Sequence, residues 1–496
     1  MGKAASAAHV IDDNLASVKK QVAINLGFLT AGQAAIAVCQ FLRLALLARY
    51  LGPIAYGEWN GALALVTLLA ALADFGLPTI AVRDLSRGAE TGRYLATAAI
   101  LKLAISTLVL LLVVLAASLS ARPEGDLVVY LLAIQMLVTS GISLVVCVFR
   151  ANDQMGWEAA LTASHALALL FVSVAMVFAN ASMTELAGAW LVVSGVVFAL
   201  GILMLFERYE FSGLRFDASQ ARYLLHECWP VGLSVVAISV YYYFDRLLMT
   251  HENQIEAVGW YSAAYAPILC VVAFVGVLRN AFLPAHSRAL VGTADPRPFL
   301  RFYGHVSLLL GVPVALGGVF LAEDGLRLVY GAAYVPGAFA FQILAVTGAL
   351  MFLSSMYGAQ LPILGGQRLL LADVCVGATV NVGLNLILIP VYSLDGAAVA
   401  TLAAEGVVFL LMLYQNRGLL GPRELARFGR LPVIGGAVSL ALYFVVEMAA
   451  PSIIAAFVSL GFYGLIAFRL HLGEVIHAFV RPGDRASLPF SSASER

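Results

Sequence analysis

Asp245 and Arg246 stand side by side inside an apolar run, within the stretch YYYFDRLLMTHENQIEAVGWYSAAY from Tyr241 to Tyr265. A polar, acidic turn from His251 to Glu256 interrupts it before a second apolar run opens with Gly259, Trp260 and Tyr261. Charge at membrane depth costs several kcal/mol, so ionisable side chains there face a bundle interior or a wet cavity by default. The stretch therefore reads as two membrane-spanning helices that carry charge to a polar interior. The alternative is a structural ion pair, or a pair close enough to a helix end to snorkel.

Arg43, Asp74 and Arg279 interrupt three further apolar runs in the same way. With Asp245 and Arg246 they fall on the first two expected spans of each half of the chain. If those four helices face one another, the five side chains share one cavity of net charge +1. Such a cavity suits an anionic headgroup, because guanidinium forks pair bidentately with phosphate oxygens. The carboxylates would keep the unloaded arginines from standing unpaired in low dielectric. Purely structural bridges, Arg43–Asp74 and Arg279–Asp245, are the alternative. Glu405, midway along an expected span, and Asp373, near a span end, are candidate ion-coupling groups; hydrogen bonding of Glu405 to the Thr401 region is equally open. Lys102 is placed to snorkel to an interface. His165 and His305 read as interior or interfacial. The aromatic run Tyr241–Phe244 could stack on sugar faces, or pack in an interfacial belt.

These residues need a membrane scaffold, and the composition supplies one. The 496 residues are 61% hydrophobic and 12% charged, with a mean hydropathy of +0.92. Apolar runs long enough to cross a bilayer, about 20 residues, recur from end to end. A membrane β-barrel would show short alternating segments instead. Fourteen apolar spans can be counted, separated by short polar pieces such as LGPIAYGE (51–58), RPEGD (122–126) and YSLDG (392–396). The fold class is all-α integral membrane, with about 14 transmembrane helices. Net charge is zero, which gives no nucleic-acid signature. The five cysteines, Cys39, Cys147, Cys228, Cys270 and Cys375, are scattered through apolar runs; no metal site, disulfide or cofactor is expected. No removable signal peptide is apparent at the N-terminus.

The distribution of Lys and Arg sets orientation. With the N-terminus inside, 22 of the 29 basic residues fall in the tails and even-numbered loops, three (Arg49, Arg122, Arg327) in odd-numbered loops, and four within spans. Both termini are thus expected in the cytoplasm. A shift of 202 residues lays AYGEW (55–59) on AVGWY (257–261) and Arg43 on Asp245, and TELAGAW (184–190) resembles SLDGAAV (393–399). Six spans per copy, an even number, gives two parallel six-helix lobes, an architecture used by transporters with the site at the repeat interface. The expected organisation is an N-terminal tail (1–21), an N-lobe (22–206), a linker (207–228), a C-lobe (229–416), two further helices (431–470) and a C-terminal tail (471–496).

Several stretches carry a family resemblance. LARYLGPIAYGEW (47–59) with ADFGLPTIAVRDLSR (73–87), then YFDRLLM…EAVGWYSAAY (243–265), NAFLPAHSRAL (280–290) and LRLVYGAAYVPGAFAFQIL (326–344), resemble the signatures of Wzx-type polysaccharide and O-antigen flippases. VNVGLNLILIPVYSLDGAAVATLAAE (380–405) is the most specific of them. The resemblance covers about 22–416 and places the chain with the multidrug/oligosaccharidyl-lipid/polysaccharide exporter superfamily. It implies two six-helix lobes that alternate access and extra C-terminal helices. It also implies translocation of an undecaprenyl-pyrophosphate-linked oligosaccharide across the cell inner membrane, with Arg43, Asp74, Asp245, Arg246 and Arg279 in places comparable to those held to bind the glycolipid. Bilayer lipids and a polysaccharide polymerase or export complex are the implied partners.

No catalytic signature such as G-x-S-x-G, Walker A or H-E-x-x-H occurs, so an ion gradient, the membrane potential or the substrate's own gradient must drive transport. An ion-coupled multidrug exporter of the same architecture is the first rival, although a drug site for cations would favour negative charge. A membrane polysaccharide polymerase is the second; it needs a sizeable outer loop, and the longest expected one, around 323–336, is small.

Overall fold

A computed structural model describes residues 2–119, 126–209, 213–291 and 295–467. The expected C-terminal tail from 471 onward and Arg122 lie outside them. Among the described residues there are fourteen α-helices: α1 (Gly2–Asp74), α2 (Leu77–Ser86), α3 (Thr91–Leu119), α4 (Asp126–Ala151), α5 (Met155–Phe178), α6 (Met183–Arg208), α7 (Ala218–His251), α8 (Ile255–Val291), α9 (Arg297–Phe320), α10 (Ala322–Val329), α11 (Ala338–Ile363), α12 (Gln367–Gln415), α13 (Pro422–Glu447) and α14 (Ser452–Ala467). Among the described residues there is no strand. Hydrocarbon offers the backbone no hydrogen-bond partner, and a helix satisfies its own. The outer surface matches that solvent: Leu103, Phe171, Leu203, Ile387 and Phe457 are each 63–69% exposed, a cost that water would exact and lipid does not.

Among the described residues, eleven helical stretches are long and apolar enough to cross a membrane. Two of them fold back, α1 at Gly52 and α12 at Ser393, and the shorter apolar α14 adds a last crossing, which gives the fourteen. The separators at 51–58 and 392–396 are thus tighter than loops. Gly52 turns the chain alone (φ 73°, ψ 171°), a conformation open to glycine because it lacks Cβ, and Pro53 starts the next helix with its fixed φ. Ser393 (φ 51°) adopts a strained backbone for an L residue. Its Oγ donates to Gln254 Oε1 at 2.7 Å, and Gly396 sits against the Leu388 carbonyl with no room for a Cβ.

The chain divides into two compact units, residues 1–46 with 62–239, and residues 47–61 with 240–496. In the first unit, Leu77, Ile80 and Ala81 of α2 pack with Tyr94 of α3, Cys147 of α4 and Leu224 and Cys228 of α7. In the second, Met249, Tyr261, Tyr265, Leu344, Ile389 and Ala397 draw α7, α8, α11 and α12 together.

Within the second unit the two copies of the repeated motif touch. A methyl group placed on Gly57 would lie 1.9 Å from the Ile255 carbonyl oxygen, and one on Gly259 would lie 2.0 Å from that of Pro53. The 202-residue shift carries Pro53 to Ile255 and Gly57 to Gly259. The contact is therefore reciprocal, residue for equivalent residue, the signature of a two-fold relation.

Candidate functional site

In the first unit the second crossing is broken. Phe75 (φ 35°) and Gly76 (φ 76°) end α1 at Asp74, and Val231 of α7 fills the space beside Gly76. Asp74 is left at a helix end inside the bundle, where its Oδ1 accepts from Lys102 Nζ at 2.6 Å, Ser140 Oγ at 2.6 Å and Ser143 Oγ at 3.3 Å. Lys102 does not snorkel, contrary to expectation. It turns inward, its side chain 6% exposed, because a carboxylate solvates its ammonium at close range. The Arg43 guanidinium lies 4.2 Å over the Trp190 ring; the Trp190 indole donates to Ser173. His165, half-buried, pairs with Ser194 at 3.0 Å, and Gln135 donates to the same hydroxyl.

In the second unit Asp245 and Arg246 are both buried, at 2% and 6% exposure. Asp245 Oδ1 accepts the Arg246 backbone N–H at 2.7 Å. The guanidinium runs into aromatic rings, lying 4.7 Å from Tyr265, 5.5 Å from Tyr243 and 5.8 Å from Tyr261. Ring faces attract a desolvated cation by about 2 kcal/mol or more. The Tyr261 hydroxyl meets Thr401 Oγ1 at 3.4 Å and faces the Asp245 carboxyl. Tyr242 packs edge-on to Tyr241 and lies within electrostatic range of Arg279, Glu405 and Tyr265. Arg246 is thus set among phenol rings of α7 and α8, and Tyr242 lies within electrostatic range both of Tyr265 and of the exposed Arg279.

Glu405 receives the Tyr241 hydroxyl at 3.2 Å, while the Ser354 hydroxyl faces the same carboxyl outside hydrogen-bond geometry. Thr401 does not serve it, since that hydroxyl donates to the Ala397 carbonyl of its own helix. Asp373 accepts from Gln415 at 2.7 Å and so ties together the two ends of α12. Two residues escape a sequence reading based on charge: Asn381 and Asn385, both fully buried, with Asn385 Nδ2 donating to Asn381 Oδ1 at 2.9 Å. Their spacing of four in an apolar run, one helical turn, is the available signal. Among the described residues no group of three or more His, Cys, Asp or Glu side chains is placed to hold a metal ion.

Chemically, the second unit offers the Arg246 guanidinium, with Arg279 in electrostatic range of the same tyrosines, for an anion, and flat ring faces for apolar or sugar surfaces. It offers no nucleophile held by a base.

The family described as "Polysaccharide biosynthesis protein" matches residues 22–290. The probable low-salt glycan biosynthesis flippase Agl15 of Haloferax volcanii is 24% identical over 365 residues, covering 73% of this chain and 76% of that protein. The structure of the lipid II flippase MurJ in an inward closed conformation superposes with a TM-score of 0.71 at 13% identity, covering 89% of this chain and 98% of that one. The MATE multidrug transporter DinF-BH gives 0.61 at 15% identity, covering 81% and 96%. At these identities the two structures establish the fold. With a family match that spans more than half of its length, the chain is a multi-pass helical membrane protein that belongs to the polysaccharide biosynthesis protein family.

Proposed function

We propose that this protein flips an undecaprenyl-pyrophosphate-linked oligosaccharide repeat unit from the cytoplasmic to the outer leaflet of the cell inner membrane by alternating access. The observation that carries the proposal is the buried Arg246 guanidinium set among the rings of Tyr243, Tyr261 and Tyr265, in a chain of this family. The guanidinium groups would hold the pyrophosphate by charge-assisted forks, and the tyrosine faces would carry sugar rings. Arg43, Asp74 and Asp245 complete the proposed binding set, with Lys102 added to it as the partner of Asp74. Glu405 and Asp373 are the proposed ion-coupling groups, and both termini are proposed to be cytoplasmic. The glycan flippase Agl15 supports the substrate class; the O-antigen and undecaprenyl details rest on the family resemblance. A polysaccharide polymerase or export complex is the proposed neighbour.

The test is polysaccharide export in a deletion strain complemented with variants of verified membrane level. Arg246→Ala and Arg279→Ala are expected to lose export at least tenfold, since removing one side of a charge-assisted pair costs about 1.5–3 kcal/mol. Arg→Lys should recover part, because a point charge lacks the fork. Full export in both alanine variants would refute the charge role.

The MATE likeness and the buried carboxylates Asp245 and Glu405 favour one second reading, an ion-coupled exporter of cationic compounds. Under it, the deletion strain gains drug susceptibility while its surface polysaccharide is unchanged.

A further inference from the structure

The N-terminal end of α13 carries an apolar groove with a basic rim. Leu308 of α9, Leu353 of α11, Phe409 of α12 and Val433 and Ile434 of α13 line a cavity of about 400 Å³, and Arg430 closes it as its one charged wall. Gly429 keeps the groove open, since a methyl group there would already press on Leu308 at 3.3 Å.

The charge around the groove is unbalanced. Arg423, Arg427 and Arg430 recur at intervals of four and three residues along α13, which places them on one stripe, and all three are exposed. The carboxylate of that turn, Glu424, is taken by Arg301 of α9 at 2.7 Å. Among the described residues that pair leaves the stripe without a neighbouring carboxylate of its own turn. Basic pockets between membrane helices bind anionic lipid head groups.

We propose that this groove is a binding site for one anionic phospholipid. Its acyl chain lies along Leu308, Leu353, Phe409 and Ile434, and its phosphodiester is held by Arg430 and Arg427. Charge complementarity selects this occupant over a neutral lipid or a second copy of the chain. The order along α13 fits as well: Arg423, Arg427 and Arg430 stand at the helix start, and the lining residues Val433 and Ile434 follow them. The site lies wholly in the second unit and needs none of the residues assigned above to the glycolipid.

Native mass spectrometry of the delipidated full chain tests this. The protein is titrated with palmitoyl-oleoyl phosphatidylglycerol and with phosphatidylcholine of the same chains. Wild type is expected to take up one phosphatidylglycerol at least tenfold more tightly than phosphatidylcholine, and that preference should shrink as salt is raised. Arg427→Ala/Arg430→Ala should bring the two lipids to equal affinity, and Gly429→Leu, which fills the groove, should weaken both. The salt titration on wild type reads the charge contribution without any variant. Equal uptake of the two lipids by wild type would overturn the proposal. So would an unchanged preference in the double arginine variant, or lipid-free dimers in place of a lipid adduct. Polysaccharide export by the complemented strain reports separately on the flippase reading, so either can fail alone.

Discussion

A lysine near a span end can keep its charge solvated in two ways: it can reach out to water, or it can find an anion. Lys102 takes the second route, and the reason lies 28 residues earlier, where Phe75 and Gly76 stop a helix and leave Asp74 at its end. Nothing local to Lys102 announces this; the break and the lysine are joined only by tertiary packing. Arg246, by contrast, is legible, because a charge in an aromatic and apolar run has few tolerable surroundings other than an interior. Its ring neighbours, Tyr261 and Tyr265, stand one turn apart in the next span, a spacing that hints at a shared face without naming the partner. The Asp74 pair yields a prediction. Lys102→Met leaves a carboxylate with two hydroxyls and no cation, a loss of about 1–3 kcal/mol for an unsatisfied group, moderated because Asp74 is 35% exposed and water can reach it. Thermal unfolding in detergent should show a lowered Tm for Lys102→Met, and Lys102→Met/Asp74→Asn should recover most of it. Equal Tm values for wild type and Lys102→Met would make the pair a spectator.

Elements are legible where hydropathy alone decides them and obscure where one residue bends the chain. The spans fall out of apolar length, yet the turns at Gly52 and Ser393 read as loops. A glycine or serine in a positive-φ conformation can reverse a helix within one or two residues when a partner such as Gln254 holds it. The paired glycines sharpen this. Gly57 and Gly259 allow two backbones to approach so closely that a Cβ would enter a carbonyl oxygen. Gly57→Ala and Gly259→Ala should each cost about 1–3 kcal/mol through overpacking, whereas Gly188→Ala, with nothing within 4 Å, should be neutral or gain up to about 1 kcal/mol from reduced chain entropy. A lowered Tm in Gly188→Ala together with an unchanged one in Gly57→Ala would contradict the close approach. At the start of α7, Asp217 acts as the N-cap. Its Oδ1 accepts from the Ser219 hydroxyl at 2.6 Å and backbone N–H at 2.8 Å, and from the Gln220 N–H at 3.3 Å, and these bonds hold its carboxyl below the usual carboxylate range. A depressed folded-state value means the cap is fully formed above the unfolded value, about 4, and weakens as pH falls through the lower, folded one. The protection factor against hydrogen exchange at residues 219–221, corrected for the intrinsic pH dependence of exchange, should fall over that acid window in wild type. In Asp217→Asn, whose amide oxygen also caps but does not titrate, it should stay flat.

At the scale of the whole chain, the parity of the loops carries the topology. Adding or losing one crossing would reverse the side assigned to every later loop, so contacts between distant loops are a check on the count. Arg49 donates to the Leu328 carbonyl and Tyr334 to that of Ala48, joining the first and ninth connections. Ser393 donates to Gln254, joining the eleventh and seventh. Arg83 pairs with Glu227, joining the second and sixth, and Arg301 with Glu424, joining the eighth and twelfth. Odd meets odd and even meets even, as the count of crossings from the second to the twelfth requires; one crossing more or fewer within that stretch would break a match. This consistency is out of reach of composition, which yields apolar lengths but not which ends meet. It leaves the sign of the orientation to the basic residues, 22 of 29 on the even side and the tails. The proposal that this side is cytoplasmic rests on the retention of Lys and Arg there. Single cysteines in a background whose five native cysteines are replaced give the readout. Asn253→Cys, in the seventh connection, should react with a membrane-impermeant maleimide in intact cells. Ser219→Cys, in the sixth, should react only after permeabilisation. Labelling of Ser219→Cys in intact cells with protection of Asn253→Cys would invert the chain. The proposed direction of flipping would then have to be argued again, from a binding set that opens to the opposite leaflet first.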